Sequence, residues 1–124
     1  MLSQEQQSAL ALLNRERTEE NLWNCLVLFQ NETFKTMSGL FFTYELKRGR
    51  DGKYTKELWV NRRENSKSLT WSSVWRAFEK TEGKPVAARP KDLGDIRGIS
   101  YIYGIFYRFG LIEVPEQVRV KMAE

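Results

Sequence analysis

The chain has no histidine, one cysteine and three prolines among 124 residues. Without histidine it lacks the commonest general base and the commonest metal ligand together. Cys25, the sole cysteine, has no partner for an internal disulfide, which predicts a reducing, cytoplasmic setting. No apolar run reaches the ~18 residues of a membrane span, and the first residues lack the basic-then-apolar pattern of a secretory leader. Repeats and long linkers are missing too, so one domain over 1–124 is expected. What is plentiful is apolar: 41% of residues are hydrophobic and 13% aromatic, with four Trp, a composition that supports a packed core rather than disorder.

The net charge of +4 is unevenly spread. Residues 1–33 set two basic side chains against five acidic ones, whereas residues 34–63 set eight against three. Residues 64–94 add six against four, and the remainder balances. A basic middle behind an acidic start points to a surface for phosphates or for an acidic protein.

Ser3 and Gln6 form an S-x-x-Q capping box before Leu10, Leu12 and Leu13, which starts a first helix. Thr18, followed by Glu19 and Glu20, caps a second, whose stripe is Leu22, Cys25, Leu26 and Phe29 at i, i+3, i+4 and i+7. Cys25 is therefore expected as a packed thiol. From Leu40 the period becomes two: Leu40, Phe42, Tyr44 and Leu46 alternate with Phe41, Thr43, Glu45 and Lys47, the pattern of a strand. Asp51-Gly52 marks a turn, and Lys56–Asn61 reads as the returning strand, ended by Asn65–Ser68. Ser68 or Thr70 caps a helix over 71–81 with Trp71, Val74, Trp75 and Phe78 inward and Gly83 as its stop. Lys84–Gly94 reads as a loop, Asp95 opens a core helix to Phe109, and Leu111–Val114 forms a short strand before a frayed tail. The class is α+β: N-terminal helices, a central β-hairpin, then two helices packed on a small antiparallel sheet.

Catalytic patterns are incomplete. Glu45-Leu46-Lys47 matches the E-x-K of one metal-dependent nuclease class, but such sites need a preceding carboxylate, and the first Asp is Asp51. A phosphodiesterase would have to use Glu45, Asp51 and Glu57. Asp92 and Asp95 are read as turn former and helix cap before a cation pair. Gly94-x-x-x-Gly98 lacks the Gly-Lys-Ser/Thr ending of a phosphate loop, and no His or Ser-x-x-Lys activates a serine. No enzyme, cofactor or metal is expected.

A binding surface remains. Lys47, Arg48, Arg50, Lys53 and Lys56 cluster around the hairpin tip, Arg62 and Arg63 end its second strand, and Tyr54 and Trp59 lie among them. Cations interleaved with aromatics suit phosphates and unpaired bases. Trp59 shares its strand face with Glu57 and Asn61 and is either exposed or packed under a helix. Lys84, Arg89 and Lys91 on the later loop would extend the hairpin into one basic strip.

The segments Gly39-Leu40-Phe41-Phe42-Thr43-Tyr44, Lys67-Ser68-Leu69-Thr70, Arg89-Pro90-Lys91-Asp92-Leu93-Gly94, Ile99-Ser100-Tyr101-Ile102-Tyr103 and Phe109-Gly110-Leu111-Ile112 resemble a family of small uncharacterised proteins from phages and mobile elements of Gram-positive bacteria. The resemblance covers most of residues 34–112 and transfers no site residue. It implies a phage accessory gene acting in a bacterial cytoplasm. Two functions fit that setting. One is a non-enzymatic binder of DNA or RNA through the basic hairpin. The other is an anti-CRISPR-like inhibitor that docks on a host nucleic-acid-binding complex, with Glu16, Glu19, Glu20 and Glu32 imitating phosphates or the hairpin filling a pocket.

Overall fold

Two short helices open the chain because their caps and stripes agree. In the computed structural model, which describes residues 2–62 and 65–123 and the side chains of these except at 62 and 65–67, α1 spans Gln4–Arg15 behind the Ser3–Gln6 capping box. Helix α2 spans Glu19–Leu28 behind Thr18, whose hydroxyl accepts from Asn21 N–H. Leu22, Cys25, Leu26 and Phe29 of the second stripe are all buried.

A four-stranded antiparallel sheet follows, in the order β1-β2-β3-β4. Its strands are β1 (Phe34–Lys35), β2 (Phe41–Arg48), β3 (Tyr54–Arg62) and β4 (Asn65–Thr70). Phe42, Tyr44, Leu46, Leu58, Val60 and Leu69 line one face and are buried. No described residue on the opposite face is buried, so that face is open. Mixed α+β architecture is thus as expected, but the hairpin is the middle half of a four-stranded meander. Asn65–Ser68, read as its end, instead begins β4 and pairs residue by residue with β3, from Arg62↔Asn65 to Glu57↔Thr70. Only Leu69 of those six residues is apolar, so an edge strand left no alternation to read.

Helix α3 runs Trp71–Glu79, capped by Thr70, two residues shorter than the spacing predicts. Fully buried Thr81 instead turns its hydroxyl onto the Phe78 carbonyl. Lys84–Gly94 contains a 3-10 turn at Pro90–Leu93, where the Asp92 carboxylate accepts from Ala88 and Arg89 N–H. Asp95 does not open the next helix. Helix α4 is Ile99–Arg108, entered through Gly98 at φ +80°. Left-handed backbone at Gly98 interrupts any coil begun at Asp95, and a Cβ there would strike the Leu69 side chain. Inside α4, Gly104 lies flush on β1, where a Cβ would meet the Lys35 carbonyl. The tail departs from expectation as well. Leu111–Val114 makes only a single bridge, Glu113 to Val86, and the following residues form α5 (Glu116–Met122). Its Val118 and Met122, four apart, are buried, which a seven-residue segment shows too briefly to be read as a period.

Burial has a measurable consequence at alkaline pH. Desolvation pushes the Cys25 thiol from its usual 9.0 up to about 12. It likewise raises the Tyr103 phenol to about 12, helped by the nearby Asp92 charge, and lifts Tyr44 well above its ordinary value. Both phenols donate to buried carbonyls, Tyr44 to Leu26 and Tyr103 to Ala87. The folded state thus holds protons that the unfolded chain releases, so stability is full below about pH 9 and drains as pH approaches 12. Thermal melts across that interval should show a falling Tm, with the phenolate absorbance of Tyr44 appearing only on unfolding.

Candidate nucleic-acid interface

The hairpin tip is built by its own hydrogen bonds. Gly49 N–H donates to the Lys53 carbonyl at 2.8 Å and Gly52 N–H to that of Gly49 at 3.0 Å. Asp51 Oδ1 accepts from Lys53 N–H at 3.0 Å, so this carboxylate is spent on the turn. The strand register shifts between Leu46 and Arg48, and the Leu46 N–H is taken by Gln30 Oε1 at 2.8 Å. Lys47, Arg48, Arg50, Lys53 and Lys56 all remain exposed. Arg48 donates to the Gly52 carbonyl at 2.7 Å, whereas the Arg50 and Lys53 side chains have no polar partner among the described residues.

Each aromatic in this region sits under a cation. Lys47 Nζ lies 4.0 Å from the Trp59 ring centroid, and the Arg48 guanidinium carbon lies 4.3 Å from that of Tyr54. Lys56 Nζ lies 5.1 Å from Trp23 and 5.0 Å from Trp71. Strand alternation divides these groups between the two faces. Lys47 and Trp59 stand on the open face with Glu45 and Glu57, while Arg48, Tyr54 and Lys56 stand on the helix side. Trp59 is half-buried but takes no part in the core; Lys47 covers it, not a helix. Tyr54 packs at the core margin, its hydroxyl 3.4 Å from Gln30 Nε2. Trp23 and Trp71 join the hairpin without having been foreseen. The β3–β4 register carries the signal for Trp71: Glu57 pairs with Thr70, so the next residue falls beside Lys56.

The second basic stretch lies elsewhere. Lys84, exposed and left-handed at φ 53°, borders a cleft of about 660 Å³ with Phe34, Lys35, Arg108, Glu113 and Arg119. Phe34 and Lys35 pair with the start of β2, whereas the tip is at its end, roughly 23 Å away at ~3.3 Å per residue. Arg89 is held 3.6 Å from Asp92, and its neighbours Ala88 and Pro90 line a groove with Thr36 and Leu40, again at the start of β2. Lys91 follows in the same turn. One continuous strip from hairpin to loop is therefore not formed. Arg62 closes β3 opposite Asn65; Arg63 lies outside the described residues.

Among the described residues, no group of three or more Cys, Asp or Glu gathers where a metal ion would be held. Glu45 and Glu57 share the open face, but Asp51 belongs to the turn. Glu16, Glu19 and Glu20 are exposed, while Glu32 pairs with Arg108 at 3.1 Å and is not free to imitate a phosphate. No described helix is long and apolar enough to cross a membrane. Set against known proteins, the chain matches no family model, no curated protein and no solved structure.

Proposed function

We propose that this chain is a non-enzymatic nucleic-acid-binding protein that grips the sugar-phosphate backbone with the end of the β2–β3 hairpin. The carrying observation is the set of four exposed cations at that end, Lys47, Arg48, Arg50 and Lys53, two of them resting on the rings of Trp59 and Tyr54. Arg50 and Lys53 offer free donors to phosphate oxygens. Lys47 and Arg48 offer an exchange: a phosphate takes the cation, and an unpaired base takes the ring face it leaves. Stacking of this kind adds ~1–3 kcal/mol per base. Bases inside a duplex have no free face, so a single strand gains from both halves of the exchange and a duplex from one. A setting in an infected bacterial cytoplasm belongs to the same proposal and rests on the resemblance of the sequence segments alone.

The test is binding of the purified protein to single-stranded and duplex DNA over a salt series. Counterion release predicts that log affinity falls linearly with log salt, with a slope of about −0.7 per phosphate contact on a single strand. Three to four contacts therefore give a slope near −2 to −3, and single strands bind more tightly. Absence of binding even at low salt would overturn the proposal and turn the basic tip into a surface for an acidic protein of the host.

A further inference from the structure

Lys56 differs from the other hairpin cations in what surrounds it. Trp23 and Trp71 stand at 86° with ring centroids 5.3 Å apart, and the Lys56 ammonium faces both at 5.1 and 5.0 Å. Two perpendicular indoles present their negative faces to one point, where a cation gains from both quadrupoles. Three elements fix this point. Trp23 comes from α2, Trp71 is the first residue of α3, and Lys56 reaches across from β3. Both indoles are half-buried against the core, so the walls are set before any ligand arrives. Trp71 Nε1–H is buried without an acceptor, so this indole is placed for its ring and not for its hydrogen bond.

The electrostatics favour a cation there as well. Glu19 and Glu20 precede Trp23 by four and three residues on α2, which puts them on its flank of the helix. Helical side chains lean toward the N-terminus, so Trp23 covers the turn that carries the two carboxylates. Neither is ion-paired among the described residues, and no described carboxylate lies within 4.0 Å of Lys56 Nζ. The direct contacts of the Lys56 ammonium are thus the two rings, with no ion pair among the described residues. A phosphate approaching this corner meets two carboxylates that no described cation pairs.

We propose that Trp23 and Trp71 form an aromatic cage for a small alkylated ammonium head group, with Lys56 as its resident occupant. Methyl groups spread the charge and weaken its hydration, so a trimethylammonium leaves water more readily than a lysine ammonium and touches both walls more fully. The tether keeps Lys56 at high effective concentration, and an incoming head group must displace it. The site's own affinity therefore emerges when the lysine is replaced.

The experiment titrates Lys56→Gln protein with tetramethylammonium chloride at constant ionic strength and follows the indole N–H resonances by NMR, with no nucleic acid present. The resonances of Trp23 and Trp71 should move saturably, at least tenfold more tightly than in the wild-type protein, while those of Trp59 and Trp75 stay in place. Trp23→Ala in the same background should abolish saturation. Choline and a trimethyllysine peptide, run as further arms, distinguish a free head group from a protein side chain as the source. Linear or uniform shifts of all four indoles in a folded Lys56→Gln protein would overturn the cage. Should that variant not fold, the wild-type protein at high tetramethylammonium decides: unmoved Trp23 and Trp71 resonances overturn it equally. The outcome is independent of whether DNA binds.

Discussion

A chain carrying Lys47→Glu, Arg50→Glu and Lys53→Glu should bind single-stranded DNA at least ~100-fold more weakly near physiological salt, and its salt slope should flatten by about 2. The three side chains are exposed, none forms an ion pair with another described residue, and of the three only Lys47 rests on a ring, that of Trp59, so far-UV circular dichroism should keep its wild-type shape and Tm should fall by no more than ~4 °C. Arg48 is left out deliberately. It donates to the Gly52 carbonyl and covers Tyr54, so its loss would disturb the turn together with any contact to phosphate. Reversing Lys84, Arg89 and Lys91 in a second chain provides the comparison. If the reading of the hairpin is right, that change reduces affinity severalfold at most through long-range repulsion, because these residues sit by the other end of β2. Equal losses in the two chains would overturn the assignment of the tip.

The second large effect concerns the core. Gly104→Ala should destabilise the fold by about 2–3 kcal/mol, roughly 10 °C in Tm for a chain of this size. In most helices this exchange is favourable by up to ~1 kcal/mol, so the sign itself is informative. The added methyl meets the Lys35 carbonyl and, at 3.1 Å, Phe42 Cε1, neither of which yields cheaply: one is backbone and the other stacks with Phe34 at 5.6 Å. Either β1 must lift off α4, or the helix must move away from the sheet. A thermal melt of the single variant settles it, and an unchanged or raised Tm would mean that β1 packs more loosely than described.

Helix caps and strand parity were legible in the sequence because they are local. Ser3 and Thr18 act through residues three positions away, and the buried set Phe42, Tyr44 and Leu46 follows from alternation alone. Parity also assigns Lys47 and Trp59 to one face and Arg48, Tyr54 and Lys56 to the other, although position in a tip cluster suggests that all act together. Partners brought in from other elements were not legible. β4 offers one apolar residue in six, so only its pairing with β3 defines it. Trp23 lies 33 positions before Lys56, and no periodicity links a helix flank to a strand so far along the chain. The separation of Lys84–Lys91 from the hairpin is likewise a property of the packed molecule, set by where α4 crosses the sheet.

The last turn of the chain bears on how the molecule can be handled. In α5 the Lys121 carbonyl lies against Gly39, and Lys35 donates to the Ala123 carbonyl at 2.8 Å, which fastens residue 123 to the start of β2. Anything attached beyond it, such as a fluorophore, a biotin or a fusion partner, is therefore carried at the end of the sheet away from the basic tip. A molecule tethered to a sensor surface by that end presents Arg50 and Lys53 to solution, whereas a tether placed in the 49–53 turn would mask them.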